Sequence, residues 1–229
     1  MLRILILIAY FQRPKIVEFA LQSIRQLEYV NFDLFIVDDG SQTQPHIQDI
    51  TLEVLGEKLY SRTGFYICGD TPEQKKAQGG SRHGHFLNEI ILASSAELAL
   101  ICCDDDAILP DYLTNLDQWF RANPDKKYGY SHVRIFDPTK ESPFGIDKRA
   151  HWTNLDVPVH PVNRIDSSQV VFRTECFKKG GCRFPSPQTR NLDAALFQQL
   201  FDRYGPCYPM GFDGQYKGWF EGQLGNQPI

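Results

Sequence analysis

The 229-residue sequence predicts an α/β protein, with a mostly parallel central sheet flanked by helices and a less regular C-terminal half. Three observations carry that expectation. Residues 2–9 are almost continuously apolar and rich in branched side chains, as in a strand covered on both faces. A helix-spaced stripe and a second apolar run follow directly, which makes a βαβ unit with a right-handed crossover. Finally, apolar runs end abruptly in carboxylates at Asp38-Asp39 and at Asp104-Asp105-Asp106, and the C-terminal edge of such a sheet is where ligands bind.

The elements follow in order. After the first strand, Pro14 suits the first turn of a helix, and Ile16, Val17, Ala20, Ile24 and Leu27 form one apolar stripe. Asn31–Val37 is a second buried strand, closed by Asp38-Asp39-Gly40-Ser41. A helix runs through Ile47–Leu55, and Gly64–Cys68 is a third strand. Gly69–Ser81 is polar, with Gly79-Gly80 near its end, and reads as a mobile loop. Phe86, Leu87, Ile90 and Ile91 mark the next helix, which leads into the strand from Leu98 and its acidic end. Tyr112, Leu113, Leu116, Trp119 and Phe120 make another amphipathic helix, stopped by Asn123-Pro124. In the second part, Tyr128–Phe136 alternates like a strand, and residues 137–162 form an excursion rich in proline, charge and aromatics. Ser168–Arg173 reads as a strand and Asp193–Tyr204 as a helix bearing Leu196, Leu200 and Phe201. From Gly205 onward glycines and aromatics alternate without periodicity, as in a lid over a ligand or a frayed end.

Composition narrows the function. At 42% hydrophobic content the chain buries a full core. A net charge of −4 without a basic cluster argues against binding nucleic acid by phosphate neutralisation. No apolar run approaches the ~20 residues of a membrane span, and Leu2–Ile8 is too short for a signal peptide. The cysteines (Cys68, Cys102, Cys103, Cys176, Cys182, Cys207) do not form a disulfide framework, so free thiols and a cytoplasmic location are expected. Cys176 and Cys182 lack zinc-knuckle spacing.

Three adjacent carboxylates repel one another, and a hard divalent cation is the natural partner for Asp104, Asp105 and Asp106. The competing reading is a solvated acidic turn ahead of the next helix, for which Asp111 after Pro110 suffices. Asp39-Gly40-Ser41 likewise reads either as a ligand contact or as an Asx-type turn.

Three separated stretches carry a family resemblance. Ile8-Ala-Tyr-Phe-Gln-Arg-Pro14 with its helix, then Phe35-Ile-Val-Asp-Asp-Gly-Ser41, form the first. Ser81-Arg82 through Asn88-Glu89-Ile90, leading into Cys103-Asp-Asp-Asp106 and Pro110–Leu113, form the second. Asn191-Leu192-Asp193 at the start of a helix is the third. In this order, over about residues 2–204, the chain resembles the family 2 glycosyltransferases of the GT-A fold. That fold is a Rossmann-like, nucleotide-sugar-binding sheet with an acceptor-binding half. The resemblance implies one domain over 1–229: a nucleotide-sugar half to residue 113, an acceptor half over 114–204 and a tail or lid over 205–229.

It also implies roles. Mn2+ or Mg2+ would be held first by Asp105, with Asp104 beside it toward ribose or metal. Asp106 stays in the set because the family's first acidic position falls on Cys103. Asp39 would accept the imide N–H of uracil or thymine, beside Asp38. The backbone of Ala9 and Tyr10 would flank the base, Tyr10 or Phe11 would stack on it, and Arg13 completes the nucleotide set. Arg82 would lie near the diphosphate; His83 and His85 read as surface or capping residues. Asp193 would be the base of an inverting, single-displacement transfer, or else an ordinary helix cap. Leu192 stands where the family usually has Glu. Asp166 would lie near donor sugar and acceptor, and Trp152 would stack on a sugar face. The implied activity is transfer of a sugar from a UDP, GDP or dTDP donor to a hydroxyl of a glycan, lipid-linked or protein-linked acceptor. A nucleotidyltransferase of related fold, or a non-catalytic nucleotide-sugar or glycan binder, is the alternative. The former usually carries a glycine- and lysine-rich phosphate loop, which residues 10–14 lack.

Overall fold

The structure, a computed structural model, describes residues 1–80, 82–136, 148–149, 156–186 and 192–218. In chain order these form β1 (Ile4–Tyr10), α1 (Pro14–Arg25), β2 (Phe32–Asp38), α2 (Ile47–Tyr60), β3 (Thr63–Ile67), α3 (Pro72–Ala77) and α4 (His83–Ala93). There follow β4 (Leu98–Cys103), β5 (Ala107–Ile108), α5 (Tyr112–Ala122), β6 (Tyr128–Phe136), β7 (Lys148–Arg149) and a 3₁₀ turn (Ser167–Gln169). β8 (Val170–Arg173), α6 (Glu175–Lys178), α7 (Leu192–Tyr204) and β9 (Tyr208–Gly218) complete them.

The described strands make one sheet in the order β3-β2-β1-β4-β8-β6-β9-β5, with β7 beside β6. Its four longest ladders, β1–β2, β1–β4, β2–β3 and β6–β9, are parallel. β8 joins the two halves through short antiparallel ladders to β4 and β6. β1 lies at the centre because Ile4 to Ile8 has no polar side chain to expose, and its alternate residues feed opposite layers. Ile4, Ile6 and Ile8 pack with α1, α2 and α5, whereas Leu5 and Leu7 pack with α4, α6 and α7. Each such fully buried side chain contributes about 1.5–3 kcal/mol.

β4 and β5 are consecutive in the chain but stand at opposite ends of the path β4-β8-β6-β9-β5. This half of the sheet therefore curls back on itself. The turn that spans the gap is Asp104-Asp105-Asp106.

The irregular regions depart from the sequence expectations. Within the expected loop 69–81 lies α3, started by a reciprocal capping box in which Thr71 and Gln74 exchange side-chain and backbone hydrogen bonds. The Thr-x-x-Gln spacing is a sequence-level signal for it. The expected strand from Ser168 begins at Val170, because Asp166 and Gln169 form a second capping box over the preceding 3₁₀ turn. Residues 208–218 are not a frayed end. They form β9, parallel to β6 and antiparallel to β5, with a register shift near His132 that masks the two-residue alternation. Trp152, most of the 137–162 excursion and residues 219–229 lie outside the described residues. None of the six cysteines is in a disulfide, and no described helix is long and apolar enough to cross a membrane.

Candidate active site

Parallel register brings the distant motifs to one edge. Tyr10 pairs with Asp38, and Ala9 pairs with Cys103, so the ends of β2, β1 and β4 line up. Backbone bonds lock the junctions: the Asp39 N–H donates to the Tyr10 carbonyl at 3.1 Å, and the Asp104 N–H to the Ala9 carbonyl at 3.1 Å. Asp38 accepts the Ser41 N–H at 2.8 Å, and Ser41 Oγ accepts the Gln12 N–H at 2.8 Å. Gly40 at the centre of this turn has φ +82°, and a Cβ there would lie 3.0 Å from the carbonyl oxygens of Cys68 and Asp70. Only glycine fits that position. Asp38 thus makes the Asx-type turn, while Asp39 points onward.

Asp104, Asp105 and Asp106 are all buried. Such carboxylates require compensation. Arg13, delivered by the turn after β1, donates through Nε to Asp104 at 3.2 Å, through Nη2 to the same carboxylate, and through Nη1 to Asp105 at 3.1 Å. The Phe11 N–H adds a bond to Asp104 at 3.1 Å. Burial nevertheless pushes the Asp104 carboxyl up to about 7, against the opposing pull of Arg13, and the charge of Asp105 adds to the rise. Asp106 accepts from the Cys103 N–H at 3.4 Å and faces Lys217 Nζ at 3.8 Å.

Ligand atoms of Cys103, Asp105 and Asp106 all lie within 4.8 Å of one another. Two carboxylates so placed fit a hard, oxygen-seeking cation of the Mn2+ or Mg2+ type. Cys103 is the weaker donor, because burial and the nearby Asp106 raise its thiol well above the ordinary range and keep it protonated. The three aspartates therefore differ: Asp104 takes two of the three Arg13 bonds and the Phe11 amide, which leaves Asp105 and Asp106 as the carboxylates that could hold a cation.

Asp39 pairs with Lys75 of α3, whose Nζ lies 3.0 Å from the carboxylate, contacts the Asp39 carbonyl and sits 4.8 Å from the Phe11 ring centre. Arg82 does not reach the acidic turn. It forms a two-pronged pair with Asp70 at 2.8 and 2.9 Å and lies over Phe86. His85 is exposed and pairs with Glu89 at 3.2 Å, as a surface residue would. His83 is half-buried, and burial lowers its pKa. Tyr10 is buried, with its hydroxyl 3.4 Å from Thr43 Oγ1, whereas Phe11 is exposed.

The second half of the site comes from far along the chain. Asp166, ahead of the 3₁₀ turn, accepts from the Ser168 N–H at 3.0 Å and Oγ at 2.8 Å, and pairs with Lys217 at 3.1 Å. Burial opposes its charge, but Lys217 and Ser168 outweigh that and hold it below the ordinary aspartate range. Asp193 stands in the first turn of α7, where it accepts the Ala194 N–H at 2.8 Å. Burial raises its pKa, and it lies within electrostatic reach of Asp166 and Lys217. The N-termini of α4 and α7 meet at Gly84, where a Cβ would lie 2.3 Å from the Pro185 carbonyl oxygen and 2.8 Å from Leu192 Cδ1. That contact explains the glycine between the two histidines.

Sequence reasoning missed Lys75, Asp70 and Lys217. The capping box marks the helix that carries Lys75. No local signal marks Lys217, whose partners lie 51 or more residues away in the chain.

Solved structures in complex with nucleotide sugars share this fold. No protein-family model matches the chain. Residues 1–349 of Staphylococcus aureus TarS in complex with UDP-GlcNAc superpose with a TM-score of 0.68 at 15% identity, over 99% of this chain and 62% of that one. A larger TarS structure gives 0.68 at 14%, over 95% of this chain and 37% of that one. A mannosyltransferase from Pyrobaculum calidifontis, in complex with GDP-Man and Mn2+, gives 0.66 at 14%, over 97% of this chain and 58% of that one. The chain shares their fold and spans between about a third and two thirds of their lengths.

Proposed function

We propose that the chain is a metal-dependent, inverting glycosyltransferase that moves a sugar from a nucleoside-diphosphate donor to an acceptor hydroxyl. The observation that carries this reading is the meeting of Asp39, Arg13 and the Asp104–Asp106 turn at one sheet edge, with Asp166 and Asp193 brought toward it from the second half. The fold's occurrence with UDP-GlcNAc in TarS and with GDP-Man and Mn2+ in the mannosyltransferase supports it.

Asp39 accepts the N–H of the base, and Phe11 offers an exposed ring for stacking beside it. Arg13 holds Asp104 in place and lowers the cost of three adjacent carboxylates. Asp105 and Asp106 would hold Mn2+ or Mg2+, which when bound would supply Lewis-acid stabilisation of the departing diphosphate. Asp193 takes the proton of the acceptor hydroxyl as its oxygen bonds to the sugar C1 and the bond from C1 to the diphosphate oxygen breaks. Attack opposite the leaving group inverts C1. A pKa raised by burial suits Asp193 to this task, because it makes the carboxylate a better proton acceptor. Asp166, kept ionised by Lys217, lies where donor sugar and acceptor hydroxyls need an acceptor of hydrogen bonds.

The test is nucleoside-diphosphate release from a panel of UDP, GDP and dTDP sugars, with Mn2+ or Mg2+ and with chelator, against glycan and lipid-linked hydroxyl acceptors. One donor should be turned over, and chelator should abolish turnover. Binding of a donor without release under any condition would move the assignment to a non-catalytic nucleotide-sugar binder.

A further inference from the structure

Lys217 is the one charged side chain of β9 that the curled sheet carries beneath the acidic turn. Its side chain is only 12% exposed, and Nζ lies 3.1 Å from Asp166 and 3.8 Å from Asp106. Cys103 and Asp105 also face it, and Asp193 senses its charge. Asp166 is fixed independently of the lysine by Ser168 and by the capping box with Gln169. Burying an ammonium is costly, and a lysine this enclosed persists only where its partners repay the desolvation.

The charges around the site show what Lys217 does. Asp104, Asp105, Asp106 and Asp166 bring four carboxylates into one buried region. Arg13 answers the first two, and Lys217 answers the last two. The carboxylates outnumber the resident cations, and a divalent cation would answer that excess.

We infer that Lys217 is a positioning residue that sets the affinity of the acidic turn for its divalent cation, by holding Asp106 and Asp166 with a resident positive charge beside the ligands. The inference rests on the reading of Asp105 and Asp106 as cation ligands. A fixed ammonium near a bound cation weakens it by repulsion, and the low dielectric of the site enlarges that effect. The lysine thereby keeps the cation exchangeable. Its contact with Asp106, at 3.8 Å, is the longer of the two, and the 3.1 Å pair with Asp166 anchors the side chain.

The experiment is direct Mn2+ binding to the full chain without nucleotide, followed by the loss of the free Mn2+ EPR signal at fixed ionic strength. Lys217→Met should bind Mn2+ on the order of tenfold tighter, about 1.4 kcal/mol, and Lys217→Arg should stay within about threefold of the parent. Asp166→Asn removes a negative charge and should weaken Mn2+ by a similar factor. The double variant Lys217→Met with Asp166→Asn restores the charge balance, leaves Asp106 to the Cys103 N–H, and should return to the parent value. If Lys217→Met fails to fold, Asp166→Asn and the double variant still decide the matter. Equal Mn2+ affinity in parent, Asp166→Asn and the double variant, or weaker binding in a folded Lys217→Met, overturns the role of Lys217. No Mn2+ binding by either the parent or Lys217→Met overturns the cation-site reading instead, whereas binding gained only in Lys217→Met supports the lysine's role.

Discussion

The proposed donor half and the proposed acceptor half of the candidate site are built on different principles. On the donor side, Asp38-Asp39, Arg13 and the Asp104–Asp106 turn hang from the ends of three adjacent parallel strands, and backbone bonds at 3.1 Å lock their junctions. On the other side, Asp166, Asp193 and Lys217 come from a 3₁₀ turn, a helix and a late strand, and their own charge interactions bring them into relation. The first half is held by register and the second by electrostatics. The first should therefore tolerate loss of a side chain in geometry but not in charge, and the second in neither.

The largest expected effect separates the halves. Asp193→Asn keeps the α7 cap acceptor but removes the proposed base, so kcat should fall about 10³-fold, with nucleotide affinity unchanged by calorimetry. Equal losses in both would merge the two halves into one. The pH profile of the parent gives a companion reading. Burial raises the Asp193 pKa, and the base works only when deprotonated. The acid limb of kcat/KM should lie above the ordinary aspartate range, with rate lost as pH falls through it. A limb at the ordinary aspartate value would place the base elsewhere.

Next in size is the stability of the donor half. Arg13→Met strands two buried carboxylates, and because the guanidinium is about one-third exposed the expected cost is about 2–3 kcal/mol, read as a lower urea midpoint at unchanged slope. A change below ~0.5 kcal/mol would show that backbone register alone carries the turn.

The contrast also decides what could be read from the sequence. Continuous apolar runs such as Leu2–Ala9 place β1 at the sheet centre, because a strand with no polar face must be covered twice. Carboxylates at the ends of such runs then fall on one edge without further information. The place of Asp193 at the start of α7 was legible from the periodic helix that follows it. Lys217 was not, because its role depends on β9 pairing with β6 across some eighty residues and on a register shift that hides the alternation. The commitment of Asp104 to Arg13, which separates it from Asp105 and Asp106, also needs coordinates. Adjacent residues of one type are indistinguishable in a motif, and only their partners tell them apart.

A smaller effect probes the seam between the halves. Gly84→Ala places a methyl group against the Pro185 carbonyl and Leu192, so α7 must shift at the end that bears Asp193. Overpacking of this kind costs about 1–2 kcal/mol, and kcat should fall about tenfold with nucleotide affinity retained. A variant with parental kcat would show that the base is positioned by its own helix and not by this contact.

The smallest effect concerns the segment over the donor half. Lys75 ties α3 to Asp39, and both side chains are mostly shielded, so the pair contributes on the order of 1 kcal/mol, at the upper end for such contacts. The backbone beneath has its own attachments: the Cys68 N–H donates to the Asp38 carbonyl at 2.8 Å, and the Thr71–Gln74 capping box starts the helix. Lys75→Met should therefore release α3 without disturbing β2 or β3. Hydrogen exchange should accelerate about fivefold over residues 74–80 and stay at parental rates in β2. High salt should reproduce part of that acceleration in the parent and none in the variant, because screening acts only where the ion pair exists. Unchanged exchange in α3 would mean that the capping box and the close approach at Gly40 hold the segment by themselves. The donor half would then be backbone-held even at its cover, and the division between the two halves would be sharper than the ion pair suggests.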